Sequence, residues 1–324
     1  MYNSKIAAFE KYVPDNIVTN DDLSKVVDTS DEWISTRTGI KQRRISKCEN
    51  TAELCFNSAK RLLDKTGLSP LDIDMIITAT ITSDYMTPSV ACIVQGRLGA
   101  ENAVCFDLSA ACSGFVYALS TADKFIKSGA CRNVIVIGGE TLSKILDWND
   151  RATCVLFGDG AGSALVTLSD EKMILAEDLH SDGVKFESLS AGYVPVKNPF
   201  YNEKFDENSF YMQMNGREIF NFAVKKVPES ILAVSEKVNV SLSEVKYIVP
   251  HQANSRIVES IAKKLKISMD KFYLNLDKFG NTSAASIPIA LCEMEEKGLI
   301  KKDDKIIITG FGGGLTWGSM LFKM

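Results

Sequence analysis

Residues 105–114, which read CFDLSAACSG, place a short strand-like run before a turn of small residues and the start of a helix. After this turn, apolar side chains recur at helical spacing on one face, at Phe115, Leu119, Ala122 and Ile126. About 170 residues later the same order returns, since residues 273–281 (YLNLDKFGN) again lead through a turn into a helix. The sequence therefore predicts an internally duplicated α/β fold.

Short β-branched runs alternate with helical patterns in both copies, as in proteins built from βα units. The clearest strand candidates are residues 75–79, 134–137, 247–249 and 306–309, which are almost wholly apolar. Such runs favour a mostly parallel, buried sheet. We place the N-terminal half at residues 1–172 and the C-terminal half at residues 173–324, with a polar excursion over about 170–215 at their junction.

The composition argues against several classes of protein. With 324 residues, of which 45% are hydrophobic and 24% charged, the chain has the composition of a globular protein rather than a disordered or fibrous one. Its net charge of −4, without a basic run interleaved with aromatic residues, argues against nucleic-acid binding. No signal peptide precedes Glu10 and no window approaches about 18 apolar residues, so we expect no membrane contact and a cytoplasmic location.

The cysteines and histidines leave few candidates for catalysis. The eight cysteines form no CxxC pair, and the two histidines, His180 and His251, lack metal-ligand spacing, so we expect no metal site. Cys112 stands apart because a helix follows it, and the start of a helix lowers a thiol pKa and favours the nucleophilic thiolate. The small residues around it suit a sharp turn that exposes a nucleophile. A buried structural cysteine is the alternative interpretation.

Two further candidates come from the C-terminal half. His251 follows the strand candidate, at the sheet edge where α/β proteins build their sites. By the internal duplication, Asn281 occupies the position that Cys112 occupies in the first half, which predicts that these two side chains face each other. A structural histidine and a simple Gly-Asn turn are the alternatives.

The glycine cluster at residues 310–318 (GFGGGLTWG) does not fit a nucleotide-binding loop. Leu315 stands where a third glycine is required, and too few residues remain for a βαβ unit. Residues 157–162 (FGDGAG) likewise lack the Lys-Ser/Thr pair of a P-loop. Dense glycine instead allows close approach of the backbone, which suits a loop whose N–H donates to an oxyanion.

Together these features resemble the β-ketoacyl-acyl carrier protein synthase III family of the thiolase superfamily. The shared motifs span nearly the whole chain, at residues 31–34 (DEWI), 37–40 (RTGI), 147–151 (DWNDR), 157–162 (FGDGAG), 251–254 (HQAN) and 310–318 (GFGGGLTWG). Elongating synthases of the superfamily have a second histidine in place of Asn281, and thiolases have a second cysteine near the C-terminus that this chain lacks. Plant-type polyketide synthases have proline where this chain has Gly313.

The resemblance implies a thiolase-like fold, with duplicated α/β halves and mixed sheets in a layered α-β-α-β-α arrangement, and a homodimer. It implies a decarboxylative Claisen condensation of an acyl-CoA primer with malonyl-acyl carrier protein, which gives 3-ketoacyl-acyl carrier protein, CoA and CO2, initiates fatty-acid synthesis and needs no cofactor. Cys112 would be the nucleophile, the N–H groups of Cys112 and Gly313 the oxyanion hole, and His251 and Asn281 the donors to the enolate. A related synthase of secondary metabolism is the alternative. A second alternative is a binding protein that kept the fold and lost the chemistry, and the intact Cys-His-Asn set argues against it.

The resemblance also assigns binding residues. Contacts with CoA are implied for Trp33, Arg37, Thr38, Arg151 and Asn254, with a core aromatic as the alternative for the tryptophan. Docking of the acidic carrier protein is implied for Gln252, Arg256, Lys263 and Lys264, with a solvated helix face as the alternative. The acyl pocket is implied for Thr87, Phe157 and Phe220. Acetyl-specific members often have phenylalanine at the position of Thr87, so threonine leaves room for longer or branched primers unless neighbouring side chains fill the space.

Overall fold

The computed structural model describes residues 2–202 and 205–324 of the chain. Its strands are β1 (Asn3–Tyr12), β2 (Ile17–Thr19), β3 (Gln42–Arg44), β4 (Met75–Ala79), β5 (Val104–Leu108), β6 (Asn133–Glu140), β7 (Gly160–Ser169), β8 (Ile174–Ser181), β9 (Leu189–Ser190), β10 (Lys197–Asn198), β11 (Tyr201–Asn202), β12 (Gln213–Met214), β13 (Tyr247–Pro250), β14 (Lys305–Gly312) and β15 (Thr316–Lys323). Its helices are α1 (Asn20–Leu23), α2 (Asp31–Thr38), α3 (Thr51–Thr66), α4 (Val90–Leu98), α5 (Gly114–Lys127), α6 (Gly216–Glu236), α7 (Ser255–Leu265), α8 (Leu276–Phe279) and α9 (Ser286–Glu296).

Two mixed sheets organise these elements. The first has the order β1-β7-β6-β4-β5, in which β6, β4 and β5 are parallel and β7 and β1 are antiparallel to their neighbours. The second has the order β13-β14-β15-β8, in which only β13 and β14 are parallel. The expectation of mostly parallel sheets was therefore wrong. Three residues connect β14 to β15, too few for the crossover that a parallel pair requires.

The layers follow from which helices contact which sheet. Helices α5 and α9 lie between the two sheets, where their apolar faces share one buried core with strands of both sheets. Helices α3 and α4 cover the outer face of the first sheet, and α6 and α7 cover that of the second. This is the predicted α-β-α-β-α arrangement, and it places the starts of α5 and α9 next to each other in the middle of the molecule.

The internal repeat is regular in the structure. Strand β13 begins 172 residues after β4, and β14 begins 172 residues after β6. The turns before α5 and α9 are also equivalent, because Ala111 (φ 45°) and Ser283 (φ 48°) both have left-handed backbone conformations at the same offset. The counterpart of Cys112 is thus Ala284, and Asn281 lies three residues before that position. The expectation that Asn281 is the counterpart of Cys112 was wrong.

The junction of the two repeats lies between β7, which belongs to the first sheet, and β8, which belongs to the second. A division between residues 172 and 173 remains a prediction. The excursion over 170–215 was expected to be polar, but it also presents hydrophobic side chains to the surface, since Val184 and Phe200 are largely exposed there. Residues 203 and 204 of this excursion lie outside the described part.

Candidate active site

Cys112 lies in the 3-10 turn Ala111–Ser113, directly before the first residue of α5. Its side chain is buried but borders a cavity of about 440 Å³. His251, Asn281 and Gly313 line the same cavity. The structure therefore brings together the predicted nucleophile, both predicted donors and the predicted glycine of the oxyanion hole, from four segments that are distant in sequence.

The thiol of Cys112 is not activated by its place at the helix start alone. Its pKa is raised to about 12, because burial, the largest cause, raises it, a hydrogen bond with Ser283 lowers it less, and the nearby carboxylate of Glu140 raises it. The expectation of a lowered thiol pKa was wrong, because the loss of hydration in the closed site outweighs the favourable helix start. In this structure Cys112 is a neutral thiol at physiological pH, and it must lose its proton as it reacts.

His251 is held in the wall of the cavity by the residues around it. Its backbone N–H donates to Thr309 O at 2.8 Å, its ring packs edge-on against Phe311, and Nδ1 lies 2.7 Å from Ser286 Oγ. The ring is buried, and this burial lowers the pKa of His251 to about 3. The imidazole is therefore neutral at physiological pH and has one N–H to donate.

Asn281 is oriented by three bonds to the main chain. Its N–H donates to Leu156 O at 2.9 Å, and its carbonyl accepts from Gly158 N at 2.9 Å, next to a parallel bridge between Asn281 and Phe157. Its side-chain Oδ1 accepts from the N–H of Ser283 at 2.9 Å. A backbone N–H can donate only to the amide oxygen, so the Nδ2 end of the amide remains available to the site.

The glycine loop after β14 is tied to the turn that carries Cys112. The hydroxyl of Thr316 lies 2.8 Å from Ser113 Oγ and 3.0 Å from Ala110 O, and it also lies 2.9 Å from Gly313 O. Gly312 lies directly against Cys112, while Gly313 lies against Ala111. These bonds fix the distance between the glycine backbone and the nucleophile turn.

Three of the residues implied for CoA binding form a cluster at the surface. The guanidinium carbons of Arg37 and Arg151 lie 4.7 Å and 5.3 Å from the ring centre of Trp33, which is half-buried on α2. Asn254 caps α7, donates to Arg37 O at 3.1 Å and lines the cavity. Thr38 is buried, and its hydroxyl donates to Ile34 O and accepts from Ile40 N, so its contact with CoA stays a prediction.

The residues implied for carrier docking divide into two groups. Arg256, Lys263 and Lys264 are exposed on α7, and none of the ion pairs in the described part of the chain involves them. Gln252 is buried, and its side chain donates to Pro250 O and accepts from Asn275 N. Its amide thus holds two segments of the second repeat together, and the docking role of Gln252 stays a prediction.

The cavity has an apolar wall that the sequence only partly predicted. Phe157 and Phe220 line it as implied, whereas Thr87 is exposed on the loop before α4 and does not reach the cavity of its own chain. The wall also includes Ile81, Leu142, Leu156, Leu189, Met212 and Ile219. These residues lie on separate loops and helices, and no local sequence pattern marks them. Ser286 was missed for the same reason, since only the fold brings it to His251.

Two other kinds of feature are absent from residues 2–202 and 205–324. No group of three or more His, Cys, Asp or Glu side chains in these ranges has the arrangement of a metal site. None of the helices there combines the length and the apolar character that crossing a bilayer demands.

Comparisons with known proteins agree with this site. Two family models match the chain, 3-oxoacyl-[acyl-carrier-protein (ACP)] synthase III over residues 106–183 and the C-terminal model of the same name over residues 235–324. The curated β-ketoacyl-[acyl-carrier-protein] synthase III of Clostridium novyi is 55% identical over 100% of this chain and 99% of its own length, and that of Clostridium acetobutylicum is 54% identical over the same shares.

Solved structures give the same result. The crystal structure of 3-oxoacyl-[acyl-carrier-protein] synthase III from Aquifex aeolicus matches with a TM-score of 0.93 and 49% identity, and the match covers 99% of this chain and 100% of that one. The fold, the cavity and these relatives lead to one conclusion. The chain belongs to the 3-oxoacyl-[acyl-carrier-protein] synthase III family.

Proposed function

We propose that this chain condenses an acyl-CoA primer with malonyl-acyl carrier protein and so initiates fatty-acid synthesis. The products are 3-ketoacyl-acyl carrier protein, CoA and CO2. One observation carries the proposal: Cys112, His251 and Asn281, all buried, line a single cavity that has an apolar wall for an acyl chain. The curated relatives, which match over the full length of the chain and bear the name of this synthase, support it.

In the first half-reaction, the sulfur of Cys112 attacks the carbonyl carbon of the acyl-CoA thioester. The N–H groups of Cys112 and Gly313 stabilise the tetrahedral oxyanion, a role supported by the bonds that tie the glycine loop to the nucleophile turn. The bond to the CoA sulfur breaks, and the thiol proton of Cys112 ends on CoA. The enzyme retains the acyl group as a thioester.

In the second half-reaction, the malonyl group on the carrier protein loses CO2, and its electron pair becomes an enolate. The free amide end of Asn281 and the N–H of neutral His251 are suited to donate to the enolate oxygen. The enolate carbon then bonds to the acyl carbonyl carbon, the bond from that carbon to the Cys112 sulfur breaks, and the departing thiolate takes a proton from solvent. Neither half-reaction changes an oxidation state that would require an external oxidant or reductant, so we propose no metal or organic cofactor.

The substrates approach by two surfaces in this proposal. The Trp33 ring with Arg37 and Arg151 offers an aromatic face and two cations to the nucleotide part of CoA. The exposed cations of α7 offer a docking surface to an acidic carrier protein, since Arg256 and Lys263 are two helical turns apart on one face. One reactant is a metabolite and the other is carried on a protein, and we propose that the enzyme meets both in the cytoplasm.

We also propose a homodimer formed along β5. This strand is an edge of the first sheet, and Val104 at its start is 60% exposed, so its outer backbone groups are open to pairing. The loop before α4 lies beside this edge, because Asp107 on β5 accepts from the N–H groups of Val90 and Ala91. Tyr85 and Met86 on that loop are exposed hydrophobic residues, as expected at a subunit interface.

Separate assays of the two half-reactions test the proposed chemistry. With His251→Ala and Asn281→Ala, we expect acylation of Cys112 to persist and CO2 release from carboxyl-labelled malonyl-acyl carrier protein to fall by about a hundredfold or more, the usual cost of losing an oxyanion donor. His180→Ala, which removes the other histidine, is the control. Normal CO2 release in both site variants would show that these residues are not the enolate donors.

A further inference from the structure

Ser286 is the first residue of α9 and is almost fully buried behind His251. Its Oγ lies 2.7 Å from the Nδ1 of that ring. The same oxygen lies 3.4 Å from the backbone N of Gln252, which donates to it. His251 lines the cavity and Ser286 does not, so this serine is the polar neighbour of the ring nitrogen on the side away from the cavity.

The protons in this group can be counted. The N–H of Gln252 can only donate, so it uses a lone pair of Ser286 Oγ. The serine hydroxyl has one proton of its own, and no other hydrogen bond of this hydroxyl is present in the described part of the chain. A buried hydroxyl proton needs an acceptor. The acceptor here is Nδ1 of His251, which must then be the unprotonated nitrogen of the neutral ring.

The surroundings hold this arrangement in place. The side chain of Gln252 is bonded to Pro250 O at 2.7 Å and to Asn275 N at 2.9 Å, which fixes the backbone that donates to Ser286. Phe311 packs edge-on against the imidazole with 5.3 Å between the ring centres, so the ring cannot turn freely. The orientation of the ring and the position of its proton are therefore coupled.

We infer that Ser286 is a positioning residue that fixes His251 as the neutral tautomer with its proton on Nε2. The inference rests on the proposed function. In this tautomer the ring donates from Nε2 to the enolate oxygen of the malonyl thioester. The His251 ring then has no free lone pair on the cavity side, so it cannot accept the thiol proton of Cys112. That proton passes to the departing CoA sulfur. Ser286 therefore acts on condensation and not on acylation.

The tautomer can be measured without any activity assay. The chain has two histidines, so protein labelled with nitrogen-15 histidine gives two sets of ring signals, and His180→Gln removes one of them. We expect His251 in the otherwise unchanged protein to show a protonated Nε2 and an unprotonated Nδ1 at neutral pH. A protonated Nδ1 in this spectrum would overturn the inference, whatever the enzyme is found to catalyse.

Variants of Ser286 test the consequence for the reaction. With acetyl-CoA and malonyl-acyl carrier protein, Ser286→Ala is expected to lower kcat for condensation by about tenfold to a hundredfold, less than removing a donor outright. The rate of Cys112 acylation and the KM for acetyl-CoA should stay within about twofold, and Ser286→Thr, which keeps the hydroxyl, should restore the Nε2–H signal.

A matched control separates this effect from a general loss of stability. Ser163 is a buried serine that bonds Ser58 at 2.8 Å and does not line the cavity, so Ser163→Ala should change neither half-reaction. Thermal unfolding of each variant is measured to check that only folded proteins are compared. Equal losses of acylation and condensation in folded Ser286→Ala, or no loss of either, would overturn the role proposed for Ser286. Failure of the unmodified enzyme to condense these substrates would instead count against the proposed function.

Discussion

Gly312 lies so close to Cys112 that a Cβ at position 312 would stand 2.9 Å from Cys112 Cβ and 3.1 Å from its Sγ. The same added atom would lie 3.0 Å from Cys112 N, which is a backbone atom and cannot move aside alone. The absence of a side chain at 312 is therefore a condition for the geometry of the nucleophile. It gives one residue of the glycine cluster a steric role that is distinct from the donor role of Gly313.

The first prediction follows from this contact. Gly312→Ala should slow acylation of Cys112 by about tenfold or more, because a small displacement of reacting groups is costly, and should lower the free energy of unfolding by about 1–3 kcal/mol through overpacking. Quenched time courses of acylation measure the rate, and urea unfolding measures the free energy of unfolding. Gly96→Ala is the control, since position 96 has open space around it. Normal acylation by Gly312→Ala would contradict the steric role.

The second prediction concerns pH and stability. Burial lowers the pKa of His251 from 6.5 to about 3, so below pH 6.5 this residue binds a proton in the unfolded chain but not in the folded chain. Folding should thus lose stability as pH falls from 6.5 towards 3, by about 1.4 kcal/mol per pH unit from this residue. His251→Asn should remove that loss, so its unfolding free energy should approach or pass that of the parent protein as pH falls.

Urea unfolding at one protein concentration, at several pH values between 4.5 and 7, measures this difference. His180→Asn controls for the removal of a histidine as such. A constant gap between the parent protein and His251→Asn over this range would contradict the buried, neutral state assigned to His251.

The third prediction concerns the primer. Thr87 lies outside the cavity of its own chain, on the loop beside the β5 edge, where a partner subunit would meet it. If it closes the partner's acyl pocket, its small side chain leaves room for methylenes, each stabilised by about 0.8 kcal/mol when buried. We therefore expect the protein to accept isobutyryl-CoA and hexanoyl-CoA beside acetyl-CoA, and Thr87→Phe to shift the preference to acetyl-CoA.

Competition among the three primers, read from the acyl group found on the enzyme, decides this. Tyr85→Phe, on the same loop and of similar bulk, is the control. A parent protein that takes only acetyl, or a Thr87→Phe variant with unchanged preference, would show that residue 87 does not set chain length and that other side chains fill the space.

Local sequence pattern accounts for part of the fold and part of the site. The repeated order of elements and the positions of Cys112, His251 and Asn281 were predictable, because each lies where a strand or turn ends and short motifs flank it. Thr38 and Gln252, whose binding roles stay predictions, show what a local pattern leaves out. Their polar groups are satisfied by nearby backbone atoms, which a motif does not reveal.

The charge states of the site required the fold itself. A helix start after Cys112 argued for a lowered thiol pKa, but the enclosure of the thiol by other segments raises it. The lowered pKa of His251 likewise comes from burial that no neighbouring residue in the sequence announces. Desolvation depends on everything packed around a group, so it is the least local property of the site.

The central claim is that Cys112 accepts the acyl group, and intact-mass spectrometry tests it most directly. The protein is incubated with acetyl-, isobutyryl- or hexanoyl-CoA without the carrier protein, and the reaction is quenched in acid. The intact mass is then measured, and a digest of the same sample locates the adduct. We predict a gain of one acyl group per chain, located on the peptide that contains Cys112, and no gain in Cys112→Ala. An acyl group on any other residue, or acylation of the Cys112→Ala protein, would contradict the claim.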